Sequence, residues 1–158
     1  MAAMKFAVDC MLGKLAKWLK ILGFDTVFFS KIEDDALLSL ARAEDRILLT
    51  KDNALLEKAK DIPSLYIDSE NWRKQIVQVI ETFKLRPKVR PYSRCIECNL
   101  PLKNLDRSHA KNLVTPFVYK HDEGFAICPG CGRAFWRGTH FRDMEAKIDK
   151  ILKGEKYK

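Results

Sequence analysis

Short apolar runs alternate with segments of helical period through the first half of the chain. Phe6, Ala7 and Val8 form an unbroken apolar run, the pattern of a strand buried on both faces. Leu12, Leu15, Ala16, Leu19 and Leu22 then recur at helical spacing and predict one buried stripe, with Gly13 read as the turn into that helix. Thr26–Phe29 is a second strand-like run, preceded by the turn Gly23-Phe24-Asp25. A helix follows Lys31–Asp35, with Leu37, Leu38, Leu40 and Ala41 as its apolar side. Arg46–Thr50 predicts a third strand and Asn53–Lys60 a third helix, ended by Pro63. Leu65–Ile67 predicts a fourth strand, and Asn71–Phe83 a helix with Ile76, Val79, Ile80 and Phe83 on one face. Strand and helix alternate four times with short links. The expected class is α/β, a parallel sheet flanked by helices on both faces with right-handed crossovers. This unit, residues 4–84, is small for such a sheet, so the rest of the chain is expected to help bury it.

The pattern changes after residue 84. Residues 85–93 read as a basic linker, stiffened by Pro87 and Pro91 and charged by Arg86, Lys88 and Arg90. It suits either a phosphate backbone or plain solvent. Residues 94–158 read as a small β-rich module ending in a helix. Two CxxC pairs bracket it, Cys95 with Cys98 and Cys128 with Cys131. Four thiolates in two tight turns are what tetrahedral zinc takes, so the module reads as a zinc ribbon with a closed structural site. Asn99 and Gly132 follow the second cysteine of each pair as turn formers. Between the pairs, Thr115–Lys120 and Phe125–Ile127 read as strands joined by a turn at Gly124. A last helix is expected over His140–Lys153, with Met144, Ile148, Ile151 and Leu152 apolar. Cys10 stands alone and reads as a buried small residue.

Charge is distributed unevenly. Residues 1–84 hold 13 basic and 13 acidic side chains, whereas residues 85–158 hold 16 and 8. The whole excess of +8 therefore lies in the second half, and four zinc thiolates would lower it to about +6. An anionic partner is expected there, nucleic acid before membrane. Arg133, Trp136 and Arg137 interleave cation and aromatic as bases and phosphates require, although Trp136 equally suits packing of the ribbon. The apolar runs are too short to span a membrane, and the N-terminus lacks a signal-peptide pattern, so the expected location is cytoplasmic.

The acids fall at strand ends. Asp9, Asp52 and Asp68 directly or nearly follow predicted strands, and Asp34 and Asp35 open a helix after the second strand. In a parallel sheet all of these gather at one edge, where open α/β folds bind ligands. Each could cap a helix. Together they could hold magnesium or manganese, because clustered carboxylates need a cation and hard oxygen donors select those metals. Lys14, Lys17 and Lys20 recur three apart on the first helix.

Phe6–Asp9, the stretch MLGKLAKWLKILGFD (Met11–Asp25), the Asp35 helix and ILLTKD (Ile47–Asp52) resemble the PIN-like RNase domain of the Mut-seven C-terminal type. The CxxC pairs and CGRAFWRGTHFRDM (Cys131–Met144) resemble the zinc ribbon that follows it in that family. The resemblance implies a PIN-like sheet and a metal-dependent ribonuclease. By position, Asp9, Asp35 and Asp52 match the family's catalytic acids, with Asp34, Asp68 and Glu70 as candidates for a fourth. Lys17, Lys20 and Lys51 stand where the family often has arginine, which keeps charge but loses bidentate phosphate geometry. In this reading Lys14 or Lys17, with Lys51, holds a phosphate, and Arg133 and Arg137 extend the grip on RNA. The alternative is a non-catalytic RNA- or ribosome-binding protein whose acids are only caps. Homodimerisation and membership of a ribosomal or RNA-processing complex stay open.

Overall fold

The computed structural model describes residues 4–122, 124–136 and 141–153, without the side chains of Phe141 and Arg142. Arg137 and His140 lie outside the described residues. Four parallel strands form the main sheet: β1 (Lys5–Val8), β2 (Asp25–Phe28), β3 (Ile47–Thr50) and β4 (Ser64–Tyr66), in the order β2-β1-β3-β4. The connecting helices are α1 (Gly13–Ile21), α2 (Asp34–Ala43) and α3 (Asn53–Lys58), and α4 (Trp72–Phe83) follows β4.

Strand periodicity divides the core into two layers. Phe6 and Val8 of β1 point with Leu49 toward α1 and α4. Ala7 and Leu48 point the other way, toward α2 and α3 through Leu37, Leu38, Ala41 and Leu55. A 3₁₀ turn, Cys10–Leu12, carries β1 into α1. Gly13 is not itself the turn. Its φ of −58° is ordinary helix, and the constraint is space, since a Cβ there would lie 3.2 Å from Cζ of Phe28.

The second half folds around a three-stranded antiparallel sheet, β5 (Lys103–Leu105), β6 (Phe125–Ile127) and β7 (Ala134–Phe135). Two short helices, α5 (Arg107–Ala110) and α6 (Pro116–His121), separate β5 from β6. The strand expected over Thr115–Lys120 is therefore a helix, and β6 pairs with β5 instead. The hydroxyl of Thr115 accepts the Val118 amide at 3.2 Å, and Pro116 occupies the first turn. That start signal outweighs the strand propensity of Val118 and Tyr119. The final helix, α7 (Phe141–Leu152), sends Ile148 and Ile151 into the α/β core beside α4, not into the ribbon.

The segment at 85–93 is a packed strap. Leu85 and Val89 are buried in the main core. The amides of Arg90 and Tyr92 donate to the Leu22 and Ile21 carbonyls at the end of α1. Gly23, at φ +97°, is pressed by the strap: a Cβ would meet the Arg90 carbonyl oxygen at 2.4 Å. Arg86 donates to the Leu152 carbonyl at 2.5 Å and so ties α7 to the strap.

The ribbon is clamped to the N-terminal edge of the sheet by Asn99. Its Oδ1 accepts the Thr26 amide of edge strand β2 at 3.0 Å, and its Nδ2 donates to Asp25 Oδ1 at 2.7 Å. Asp25 also pairs with Arg46 at 2.8 Å, and Arg46 donates onward to the Phe6 carbonyl of β1. Burial alone would push the Asp25 carboxyl up. Hydrogen bonds from Arg46 and Asn99, with the charges of Arg46 and Arg94, outweigh it and hold the carboxyl below its ordinary value. A depressed folded value adds stability above the unfolded value, and that stability is lost as pH falls through the folded one.

Two outcomes are expected. Acid unfolding of the wild type steepens below the ordinary carboxylate value of 3.8, and Asp25→Asn removes that component from a pH series of denaturant melts. Asn99→Gly tolerates the residue's φ of +59° but removes the clamp, and costs about 1–3 kcal/mol in the same melts.

Candidate active site and metal centre

The topology sets where a site should lie. From β1 the chain steps one way to β2 and later, from β3, the other way to β4, so the switch point falls between β1 and β3. Asp9 follows β1 directly and is 5% exposed. Its own amide donates to the Leu49 carbonyl at 3.0 Å. Its Oδ1 accepts the Cys10 amide at 2.7 Å, and its Oδ2 accepts the Thr50 hydroxyl at 2.8 Å. Thr50, the last residue of β3, is fully buried, and its oxygen accepts the Asp52 amide at 2.9 Å. One hydroxyl thus orients the first acid and the backbone of the second. The pattern of acids did not single out Thr50. Its only sequence signal is a hydroxyl at a strand end two residues before an aspartate.

Asp52 does cap α3: Oδ1 accepts the amides of Ala54 at 2.8 Å and Leu55 at 3.3 Å. Its Oδ2 takes no hydrogen bond among the described residues, so capping and ligation are compatible here. Asp34 and Asp35 open α2 on different faces. Asp34 is half-buried and acts electrostatically on Cys10, next to Asp9. Asp35 is exposed and acts on Arg42, two turns along its own helix. Both residues open the helix that follows β2, at the strand-tip edge.

Other expected residues are placed differently. Asp68 is exposed, and its amide donates to Oε1 of Gln78 at 3.0 Å. The Lys51 ammonium donates to the carbonyls of Ile67, Asp68 and Ser69 at 3.2, 3.3 and 3.4 Å and pairs with Glu70 at 3.2 Å. Its side chain is only 11% exposed. Those partners occupy its donors, so Lys51 secures the loop after β4. Lys14 and Lys17 are exposed at the start of α1, whereas Lys20 is half-buried near Glu97 and Cys95 of the ribbon. Cys10 is exposed at the site's rim, not buried. Desolvation and the Asp9 carboxylate push its thiol up.

Among the described residues, the group of ligand-bearing side chains drawn closely together is Cys95, Cys98, Cys128 and Cys131, whose sulfurs all lie within 4.8 Å of one another. The carboxylates at the sheet edge are not gathered to that spacing. The two cysteine turns repeat one geometry. Asn99 and Gly132 donate to the carbonyls of Cys95 and Cys128 at 2.8 and 2.9 Å. The amides of Cys95 and Cys128 donate to the carbonyls of Leu100 and Arg133 at 2.9 and 3.0 Å. Asn99 and Gly132 both have positive φ, +59° and +72°. Amides of Cys98 and Gly130 approach the sulfurs of Cys95 and Cys128 at 3.4 Å, as they would support thiolates. Cys95 and Cys131 sulfurs stand 4.0 Å apart, against about 3.8 Å for a tetrahedron of 2.3 Å bonds. The donor set fits a closed four-sulfur site able to hold a metal such as zinc. Backbone amides of Cys131 and Gly130 pull the Cys128 thiol down to about 7, while hydrogen bonding to Cys128, then burial, pushes Cys98 up to about 12.

Arg133 and Trp136 are exposed on the ribbon, Trp136 at 40%. No helix among the described residues is long and apolar enough to cross a membrane.

No curated protein and no solved structure matches the chain. One family does, through the model of the Mut7-C RNAse domain, which aligns with residues 4–148. That span runs from β1 through both cysteine pairs into α7, so sheet and ribbon fall within one match. The chain belongs to the Mut7-C RNAse domain family.

Proposed function

We propose that the chain is a metal-dependent ribonuclease that hydrolyses RNA phosphodiesters at the C-terminal edge of the parallel sheet. The observation that carries this reading is Asp9: a nearly buried carboxylate at the switch point, oriented by the Thr50 hydroxyl, with Asp52 on the same hydroxyl's other side. Each Asp9 oxygen accepts one hydrogen bond and keeps a further lone pair. Asp52 keeps Oδ2. Asp34, half-buried at the start of α2, is our choice ahead of the exposed Asp35 as the third ligand. This all-oxygen set fits magnesium or manganese. Either ion, when bound, supplies charge stabilisation at phosphate and a more acidic water. Thr50 fixes the orientation of Asp9, and Lys14 and Lys17 draw the phosphate backbone toward the edge. Zinc in the four-cysteine site holds the ribbon, whose Arg133 and Trp136, with Arg137, extend the RNA contact.

A second reading, a non-catalytic RNA- or ribosome-binding protein, draws on the capping bonds of Asp52 and on the spacing of the carboxylates. Magnesium and manganese titrations separate the two, because under that reading Asp9→Asn leaves ion binding unchanged.

In cleavage of 5′-labelled single-stranded RNA with added manganese, Asp9→Asn lowers the rate by about 10²-fold or more while RNA binding persists. Thr50→Val lowers it by about 10–100-fold, the usual effect of a group that orients a ligand. Asp34→Asn is more damaging than Asp35→Asn, and equal losses would count against the assignment of Asp34. Elemental analysis finds one zinc per chain, lost in Cys98→Ser. Because zinc must displace thiol protons, the metal is released as pH falls, and a chromogenic chelator reports the release.

A further inference from the structure

Helices α1 and α4 both leave strand tips at the catalytic edge and pack side by side. Trp18 of α1 and Trp72, the first residue of α4, stack with ring centres 4.6 Å apart and planes at 17°. Trp18 is 6% exposed, so its ring is fixed in the core. Trp72 is half-buried and carries the stack out to the surface. Two cations lie over its ring, Lys14 Nζ at 5.1 Å and Arg73 Cζ at 4.5 Å from the centre. Sharing one ring keeps the two charges within about 10 Å of each other. Lys14 forms no ion pair among the described residues. Lys17 lies one turn further along α1 and Lys74 beside Arg73, both exposed.

Two positive groups held near one ring raise the local potential, and a phosphate close to both lowers it. The position also matters. Lys14 follows Asp9 by five residues, on the first turn of α1. Asp34 approaches from α2, on the opposite face of the sheet. A polyanion crossing the strand tips from the α2 side to the α1 side would pass the acids and then meet this pair.

We propose that Lys14 and Arg73, held on the Trp72 ring, form a phosphate subsite for the single-stranded RNA segment that flanks the cleaved bond. The proposal rests on the ribonuclease reading above. The subsite grips the backbone and reads no base, so a DNA strand of the same length occupies it as well.

The test is the salt dependence of binding. Zinc-loaded protein is titrated with a fluorescein-labelled single-stranded RNA at several KCl concentrations, without magnesium or manganese. Lys14→Ala with Arg73→Ala lowers the slope of log affinity against log salt by about 1.4, since each phosphate contact on a single strand contributes about 0.7. Lys14→Gln alone alters one exposed side chain, leaves the fold intact and lowers the slope by about 0.7. Lys58→Ala with Lys60→Ala, at the opposite edge, is the charge-matched control. The proposal holds if the subsite variants lose slope and the control does not. Subsite variants and control with the same slope, beside a wild type that still binds and cuts, overturn the subsite and leave the ribonuclease standing. A wild type that neither binds nor cuts RNA overturns both.

Discussion

The guanidinium of Arg46 is 8% exposed, and a charge so far from water has to be balanced where it lies. Asp25 and Glu44 balance it, and the Phe6 carbonyl accepts a further hydrogen bond. This requirement fixes more than one ion pair. It ties the start of β2 to β1 and to the residue that leads into β3. It also orients Asp25 toward Asn99, so the first cysteine turn can dock only where the sheet's charge network receives it. The strap and α7 then close over the remaining apolar surface. The ribbon is therefore a structural neighbour of the sheet and not a tethered accessory.

The two edges of the sheet divide the work. The N-terminal edge carries the compensated charges and the ribbon. The C-terminal edge carries acids that are only partly satisfied, at the topological switch point. Lys51 illustrates the boundary between these roles. It lies at the strand-tip edge, yet its charge is engaged by three carbonyls and Glu70, so it stabilises the loop after β4.

Much of this was legible in the chain. The apolar runs located all four parallel strands within one residue or so, because buried strands leave few polar alternatives. The paired cysteines located the four-sulfur cluster, because the turn geometry is local. Asp9 and Asp52 were legible as strand-end acids for the same reason. What was not legible depended on rotation or on distance in sequence. Asp34 and Asp35 are adjacent in the chain, but a helix turns about 100° between them, so the sequence alone does not tell which is half-buried and which exposed. Thr115–Lys120 was misread because a two-residue start signal, Thr115 and Pro116, outweighed the propensities that follow it. The meeting of Trp72 with Lys14 and Trp18 joins residues more than fifty positions apart. So does the reach of Asn99 to Thr26. No local pattern encodes either.

Asn99 has one more effect. β2 is the outer strand of the parallel sheet, and such a strand offers its unpaired amides to any extended chain that drifts past. By taking the Thr26 amide, the cysteine turn acts as a guard over that edge. Where a metal fills the four-cysteine site, it steadies the turn that carries Asn99, and the site then helps to shield β2 from pairing edge to edge with another copy.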